Sequence, residues 1–439
     1  MKSQRRSRTL ASILGAATAL TLVACTGSSR GPQEEAEHAP VGSDEEVEIT
    51  IWFGREDFIP DDAFAEFMAE YPHITVKTDV VPLEQIPTNF IRQYEAGDAP
   101  DIIQPEAGAT PSLALRGMLY DVTPILEEWE SSDPDLYGAM SQTAWDLASD
   151  DGTPYGMTLF HGVDWNLYRT DVLDDLGLEV PTTWDEVLDA AEVISDETDM
   201  YGYGLDGART RTPDRDKGVF AQMGGQWVDG VMQLDSEAGH YWLNFYQELV
   251  LRDAIDPATI ALEWPDYIQN FAEGEHAMGV MSRNVFLDNV EPLIAYGEEW
   301  SVNPSPYVRP GAEAEARYLT RGWPYLVSSA TEYPYEAGLV LRYLAEDQQA
   351  LSVALRYQPA SNTRVMASDE YFQQNPWGED LVAPWSELEA RPSHPNNAAM
   401  DSVIRDAIQE ALNNPTADVA EVAQRYQEEL DALAAEVEN

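Results

Sequence analysis

The chain is poor in the groups on which many chemistries depend. A single cysteine, Cys25, stands in 439 residues, so no disulfide can form within the chain and cysteine-rich metal sites are excluded. Lysine occurs three times, at Lys2, Lys77 and Lys217. The six histidines, at positions 38, 73, 161, 240, 276 and 394, are scattered, which argues against a His-rich metal receptor. There is no Gly-x-Ser-x-Gly elbow, no His-Glu-x-x-His and no phosphate-binding Gly-rich loop with its Lys. The sequence therefore gives no warrant for a serine hydrolase, a zinc peptidase or a nucleotide hydrolase. No apolar run is long enough to cross a bilayer core.

Positive charge is the other scarcity. Against 25 basic residues stand 79 acidic ones, a net charge of −54. Such a surface repels nucleic acid and anionic membranes. It suits solubility in a salty environment, where screening makes self-repulsion tolerable. It also removes the value of carboxylate pairs as a signal, because a hydrolase's acid and second carboxylate would be indistinguishable from the acidic background.

Four of the 25 basic residues cluster at the start. Lys2, Arg5, Arg6 and Arg8 precede an apolar, small-residue stretch over 10–23 that closes on Leu22-Val23-Ala24-Cys25, the pattern of a secretory signal. The last four residues resemble a bacterial lipobox, which implies removal of residues 1–24, lipidation of Cys25 and anchoring to the outer leaflet of the cell membrane. Residues 25–46 continue as an acidic tether without apolar periodicity. The roughly 390 residues that remain exceed one ordinary core and predict two lobes.

Within them, Val47, Ile49, Ile51 and Phe53 alternate with polar neighbours as in a strand. Phe64, Phe67, Met68 and Tyr71 form a helical stripe from Asp61. A second strand over 74–80, a helix over 83–96 stopped at Gly97, and a strand over 101–104 complete a βαβαβ unit, which predicts parallel pairing. In open α/β sheets ligands sit beyond the carboxyl ends of the strands. The loops after the first and third strands, carrying Arg55, Glu56 and Glu106, are thus expected to face one crevice. Farther on, Thr183-Trp-Asp-Glu186 has the form of a capping box, with Trp184 and Trp242 on the apolar stripes of their helices.

Nine segments in order resemble the family 1 extracellular solute-binding proteins of ABC importers: "ITIWFG" (49–54), "YEAGDAPDII" (94–103), "RGMLYDVTPIL" (116–126), "DGTPYGMTL" (151–159), "LYRTDVLDDLGLEVPTTWDEVLDAA" (167–191), "QMGGQW" (222–227), "FAEGEHAMGV" (271–280), "GWPYLVSSA" (322–330) and "ARPSHPN" (390–396). The resemblance implies an α/β, two-lobed periplasmic-binding-protein fold, each lobe a mostly parallel sheet flanked by helices. The expected lobes are 47–157 with 280–325, and 158–279 with 326–439, joined by three crossings near 155–160, 276–282 and 323–328. It implies further a monomer without cofactor or metal that captures a carbohydrate by hinge closure and passes it to a membrane permease.

A sugar site needs aromatic plates for C–H faces and polar groups for the hydroxyl rim. The candidates are Trp323 and Tyr325 at the third crossing, Trp227 behind Gly224-Gly225, Asp164 and Trp165 after the first crossing, Arg283 after the second, and Arg364 in "PASNTR" (359–364). Arg55, Glu56 and Glu106 join them from the loops of the first lobe. Trp52 is expected to pack on the second face of its sheet. Other readings remain at this point: a receptor for a polyamine, a glycerophosphodiester or a sulfonated sugar, or a secreted glycoside hydrolase.

Overall fold

The computed structural model describes residues 42–43, 45–55, 63–208, 213–282, 290–375, 377–378, 380–381 and 388–437. Cys25 and its signal, together with Glu56 and Arg283, lie outside the described residues.

The first βαβαβ unit forms as its pattern dictates. Strand β1 (Val47–Phe53) pairs in parallel with β2 (Ile74–Val80) along its length, from Val47 opposite Ile74 to Phe53 opposite Val80. Strand β3 (Ile102–Gln104) lies parallel on its other side. Helices α1 (Ala65–Glu70) and α2 (Ile86–Ala96) make the crossovers. The chain later adds β4 (Gly156–Met157) and β10 (Tyr325–Val327), giving a five-stranded sheet in which β10 runs antiparallel to β3 and β4. Ile49, Ile51 and Phe67 are fully enclosed on one face, each such side chain contributing about 1.5–3 kcal/mol by leaving water. Trp52 packs on the opposite face with Ile103, Phe90 and Leu326, as its place in the alternation requires.

A second sheet is built around β5 (His161–Tyr168), seven of whose eight residues are buried. Antiparallel to it run β7 (His276–Ser282), β8 (Ser301–Asn303) and β9 (Leu319–Gly322). Strand β6 (Tyr201–Tyr203) lies parallel to β7, and β11 (Glu389–Ala390) parallel to β9. Helices α3 (Trp184–Glu197), α5 (Glu237–Leu251), α8 (Asn397–Asn413) and α9 (Val419–Val437) share one large apolar core. Trp184 and Trp242 are fully enclosed in it. The capping box closes reciprocally: Thr183 Oγ1 accepts from the Glu186 amide at 3.2 Å, while Glu186 accepts from the Thr183 amide at 3.0 Å. The molecule is an α/β protein of two lobes, one per sheet.

The chain passes between sheets at 158–160, linking β4 to β5, and at 323–324, linking β9 to β10. The expected crossing at 276–282 is not one. Strand β7 pairs within the second sheet from His276 to Ser282, and β8 and β9 join the same sheet. Residues 301–322 therefore belong with the second sheet rather than the first. Helix α6 (Pro334–Ala345), assigned by the sequence to the second lobe, packs on the first sheet. The next helix, α7 (Asp347–Arg356), divides its side chains: Val353 faces the first core, and Ala350 and Ala354 face the cluster around Trp165 and Trp300. The physical reason is that β7 is buried along its whole length. An interior strand covered on both faces reads as a continuous apolar run, and nothing in such a run tells which sheet it joins.

Candidate functional site

The site starts where β3 ends. Pro105 stops that strand, and Glu106 leads into a 3₁₀ turn, Ala107–Ala109, at the carboxyl edge of the first sheet. Directly across stands α8 of the second lobe. Gly108 meets Asn397 so closely that a Cβ on the glycine would lie 2.7 Å from the Asn397 amide nitrogen. The two lobes are thus in contact here, and the absence of a side chain at residue 108 sets the approach. Around this contact lies a crevice of about 30 Å³, bounded by Glu106, Asp214, Arg321, Trp323, Arg391 and Asp401. A larger chamber of about 480 Å³ opens beside it, between Leu83, Pro87 and Ser112 on one lobe and Pro395, Ala398 and Ser402 on the other. Glu106, Gly108, Asn397 and Asp401 border both.

The second lobe contributes most of the charge. Helix α4 (Asp214–Gln222) opens with Asp-Arg-Asp-Lys, and all four side chains are buried. Each finds an opposite charge. Asp214 binds Arg391 Nη2 at 2.6 Å, and Arg215 pairs with Asp206. Asp216 accepts from Arg405 Nη2 at 3.0 Å and from the Tyr246 hydroxyl at 2.7 Å, and Lys217 pairs with Asp401. Arg321, at the end of β9, grips Asp164 with both terminal nitrogens at 3.2 and 3.4 Å. The same guanidinium lies 3.9 Å from Asp214. Burial disfavours the Arg321 cation, but Asp164 and Asp214 outweigh it and raise its pKa above the usual value. Ionised groups persist in an interior only when paired in this way.

Glu106 differs from these. By surface accessibility it is exposed, while protein crowds around it from both lobes; a carboxylate at the mouth of a narrow crevice has both properties. That crowding pushes its pKa up to about 7, reinforced by Asp214 and Asp401 and opposed by Arg321 and Arg391. No ion pair or side-chain hydrogen bond of Glu106 occurs among the described residues. At neutral pH it can both donate and accept a hydrogen bond.

Trp323 walls the crevice, with the Arg321 guanidinium 5.8 Å from its ring centroid. It is only 6% exposed, because Phe160 and Tyr357 pack on it at 5.7 and 5.8 Å. Arg55 lies over the far ring of this group, 5.3 Å from the Tyr357 centroid. Asp164 stands behind Arg321 rather than in the crevice wall. The remaining candidates are placed elsewhere. Tyr325 is fully enclosed in the first core, its outward side in the strand taken up by packing. Trp165 is equally enclosed, edge-on to Tyr318 at 4.7 Å. Trp227 stacks edge-on against Phe220, and it is this ring, not a ligand, that fills the space left by Gly225. Arg364 is bound at the surface by Asp347 at 2.8 Å and by the Asp135 carbonyl at 3.1 Å.

Asp214, Arg321, Arg391, Asn397 and Asp401 border the crevice without being among the candidates expected from the sequence. Arg391 lies within the segment "ARPSHPN" and Arg321 immediately before "GWPYLVSSA", and each is next to or near an aromatic or proline that marks a strand end. Asp214 and Asp401 carried no such signal, since acids are everywhere in this chain.

A family model described as bacterial extracellular solute-binding protein matches residues 55–351. Among solved structures, a solute-binding protein of an ABC transporter from Thermotoga lettingae TMO, bound with α-D-tagatose, superposes with a TM-score of 0.71 at 21% identity, covering 88% of this chain and 100% of its own. The GacH receptor of Streptomyces glaucescens, solved unliganded and with acarbose, gives 0.71 at 19% identity over 89% and 99%. The sugar-binding protein MalE from Xanthomonas citri gives 0.74 at 16% identity over 89% and 98%. No curated protein sequence matches significantly. Among the described residues no helix is long and apolar enough to cross a membrane, and no group of three metal-binding side chains is gathered.

Proposed function

The chain belongs to the bacterial extracellular solute-binding proteins, and from that premise we propose that it captures a carbohydrate, an oligosaccharide, between its lobes and delivers it to the permease of an ABC importer. The observation that carries this reading is the crevice and adjoining chamber, lined from one lobe by Glu106 and Gly108 and from the other by Arg321, Arg391, Asn397 and Asp401, with Trp323 at the wall. Paired guanidinium and carboxylate groups keep spare donors and acceptors for hydroxyls while their charges cancel. Trp323 supplies an apolar edge for a C–H face. The chamber falls within the size range of small-molecule sites. Binding there would hold the lobes together, and the closed form would be what the permease reads. The sugar ligands named for the tagatose and acarbose relatives support a carbohydrate over the other solutes.

The chain acts as a receptor and not as an enzyme, tethered through lipidated Cys25 to the outer face of the membrane. Mass spectrometry of the N-terminal peptide tests the tether: a diacylglyceryl adduct on Cys25 is expected, and an unmodified leader still in place would contradict it.

Melting the protein against a panel of mono- and oligosaccharides tests the receptor reading. A ligand present at a hundred times its Kd adds about 2.7 kcal/mol, a shift of several degrees. Silence across all sugars with a shift for a polyamine or a glycerophosphodiester would replace the substrate class. Turnover of a glycoside would replace the receptor by a hydrolase. Trp323→Phe, which keeps the packing on Phe160 and Tyr357, is expected to weaken the binding found.

A further inference from the structure

Each ionised group that the second lobe's ion-pair wall brings to the cleft has a partner of opposite charge among the described residues. Asp164 goes with Arg321, Asp206 with Arg215, Asp214 with Arg391, Asp216 with Arg405 and Asp401 with Lys217. All ten groups belong to the second lobe. Glu106, which the first lobe brings against them, has no ion pair among the described residues. Glu84, Glu106, Asp401 and Asp406 line the chamber beside it, and the single described cation in its wall, Arg405, is 2% exposed and turned to Asp216. None of the described residues lining it is aromatic.

A neutral sugar closing this space would leave a lone carboxylate enclosed in it, which is costly unless the group takes up a proton. One ammonium group would complete the set instead. From the matched pairs, the position of Glu106 and the shape of the chamber, we propose that the ligand is a carbohydrate carrying an amine, and that Glu106 is its counter-ion and the residue that sets this preference. The inference rests on the carbohydrate-binding reading above and narrows it. The nitrogen sits at the boundary of crevice and chamber, where Glu106 is shared by both, and the rest of the ligand occupies the chamber. The groups facing Glu106 are Asp214, Asp401, Arg321 and Arg391. With the first two raising its proton affinity, binding of the ammonium expels the proton that the carboxyl holds near neutral pH.

The test uses the full chain and matched sugars titrated calorimetrically at pH 7: glucose with glucosamine, N,N′-diacetylchitobiose with its deacetylated form, and maltose with its 2-amino analogue. The amine-bearing member of at least one pair is expected to bind about tenfold or more tightly, the scale of one charge-assisted hydrogen bond. Titrations in buffers of different ionisation enthalpy should reveal the released proton. In Glu106→Gln the ratio within the pair falls to about one, whatever the absolute affinities, while the melting temperature without ligand shows that the variant folds. Neutral members binding as tightly as their amines, or a ratio that survives in Glu106→Gln, would overturn the proposal while leaving the receptor reading standing. If no member of any pair binds, the carbohydrate reading falls and this one with it.

Discussion

The two lobes bury different kinds of surface. The first encloses aliphatic and aromatic side chains, and Glu336 is the one carboxylate or basic side chain buried in it among the described residues. The second encloses Asp164, Asp206, Asp214, Arg215, Asp216, Lys217 and Arg405 beside an apolar core of its own. On the function proposed above, the difference assigns most of the recognition chemistry to the second lobe. One lobe is a plate that presents a turn and two carboxylates, Glu84 and Glu106; the other presents a wall of ion pairs held rigid from behind. Since a buried pair gains little over apolar residues of the same shape, its place beside the cleft is better explained by what it offers a ligand than by stability.

The sharpest way to break this contrast is to remove one cation from the second lobe. Arg215→Met takes a buried guanidinium from beside Asp206 and Asp164 and is expected to cost about 3–5 kcal/mol, measurable as a lowered urea midpoint. A loss below about 1 kcal/mol would mean that the wall is wetter than its burial indicates. Acid comes next. Burial holds His161 and His276 neutral, with pKa values lowered to about 3, against about 6.5 in the unfolded chain. Their contribution is complete above pH 6.5 and is lost as pH falls toward 3, at up to about 1.4 kcal/mol per pH unit for each. Unfolding curves from pH 7 to pH 4 should show this slope, and His161→Gln should reduce it. A slope unchanged in that variant assigns the acid loss elsewhere.

Glu106 works in the opposite direction. Its folded pKa of about 7 lies above the ordinary value of 4.5, so the stability linked to its proton is present below about pH 4.5 and fades as pH rises through 7. Glu106→Gln should flatten the limb between those values, and the same limb in both proteins would contradict the raised pKa. The smallest effect belongs to the first lobe's surface. Lys77 and Glu48 pair at 2.6 Å but are 59% and 50% exposed, and Lys77→Ala should change the urea midpoint by less than about 1 kcal/mol. A loss matching that of Arg215→Met would erase the distinction between the lobes.

The same division governs what could be read in advance. The βαβαβ unit was legible because each of its strands and helices has one covered face, and alternation or helical spacing shows which. Trp52, Trp184 and Trp242 were placed by that logic alone. Where a strand is covered on both faces, as β7 is, the pattern loses direction, and a crossing was expected there instead of at α7. Asp-Arg-Asp-Lys at 214–217 reads as a solvated helix end, and only tertiary partners from 164, 206, 391, 401 and 405 turn it inward. The position of Glu106 at the crevice was legible because a strand ends just before it, a positional argument that survives any composition. Tyr325 and Trp165 were misplaced for the converse reason: nearness to a crossing brings an aromatic to the cleft or to the core with equal ease, depending on which face of the strand it takes.

The account turns on whether a sugar is held between these lobes by the wall of ion pairs. Calorimetric titration of the sugar that most raises the melting temperature, into the native chain and into Arg391→Met, asks this most directly. One-to-one binding in the native chain, weakened about tenfold or more in a variant that melts within a few degrees of it, is the result predicted. Equal affinity in the two proteins would contradict the account, because a ligand indifferent to Arg391 is not bound in this cleft.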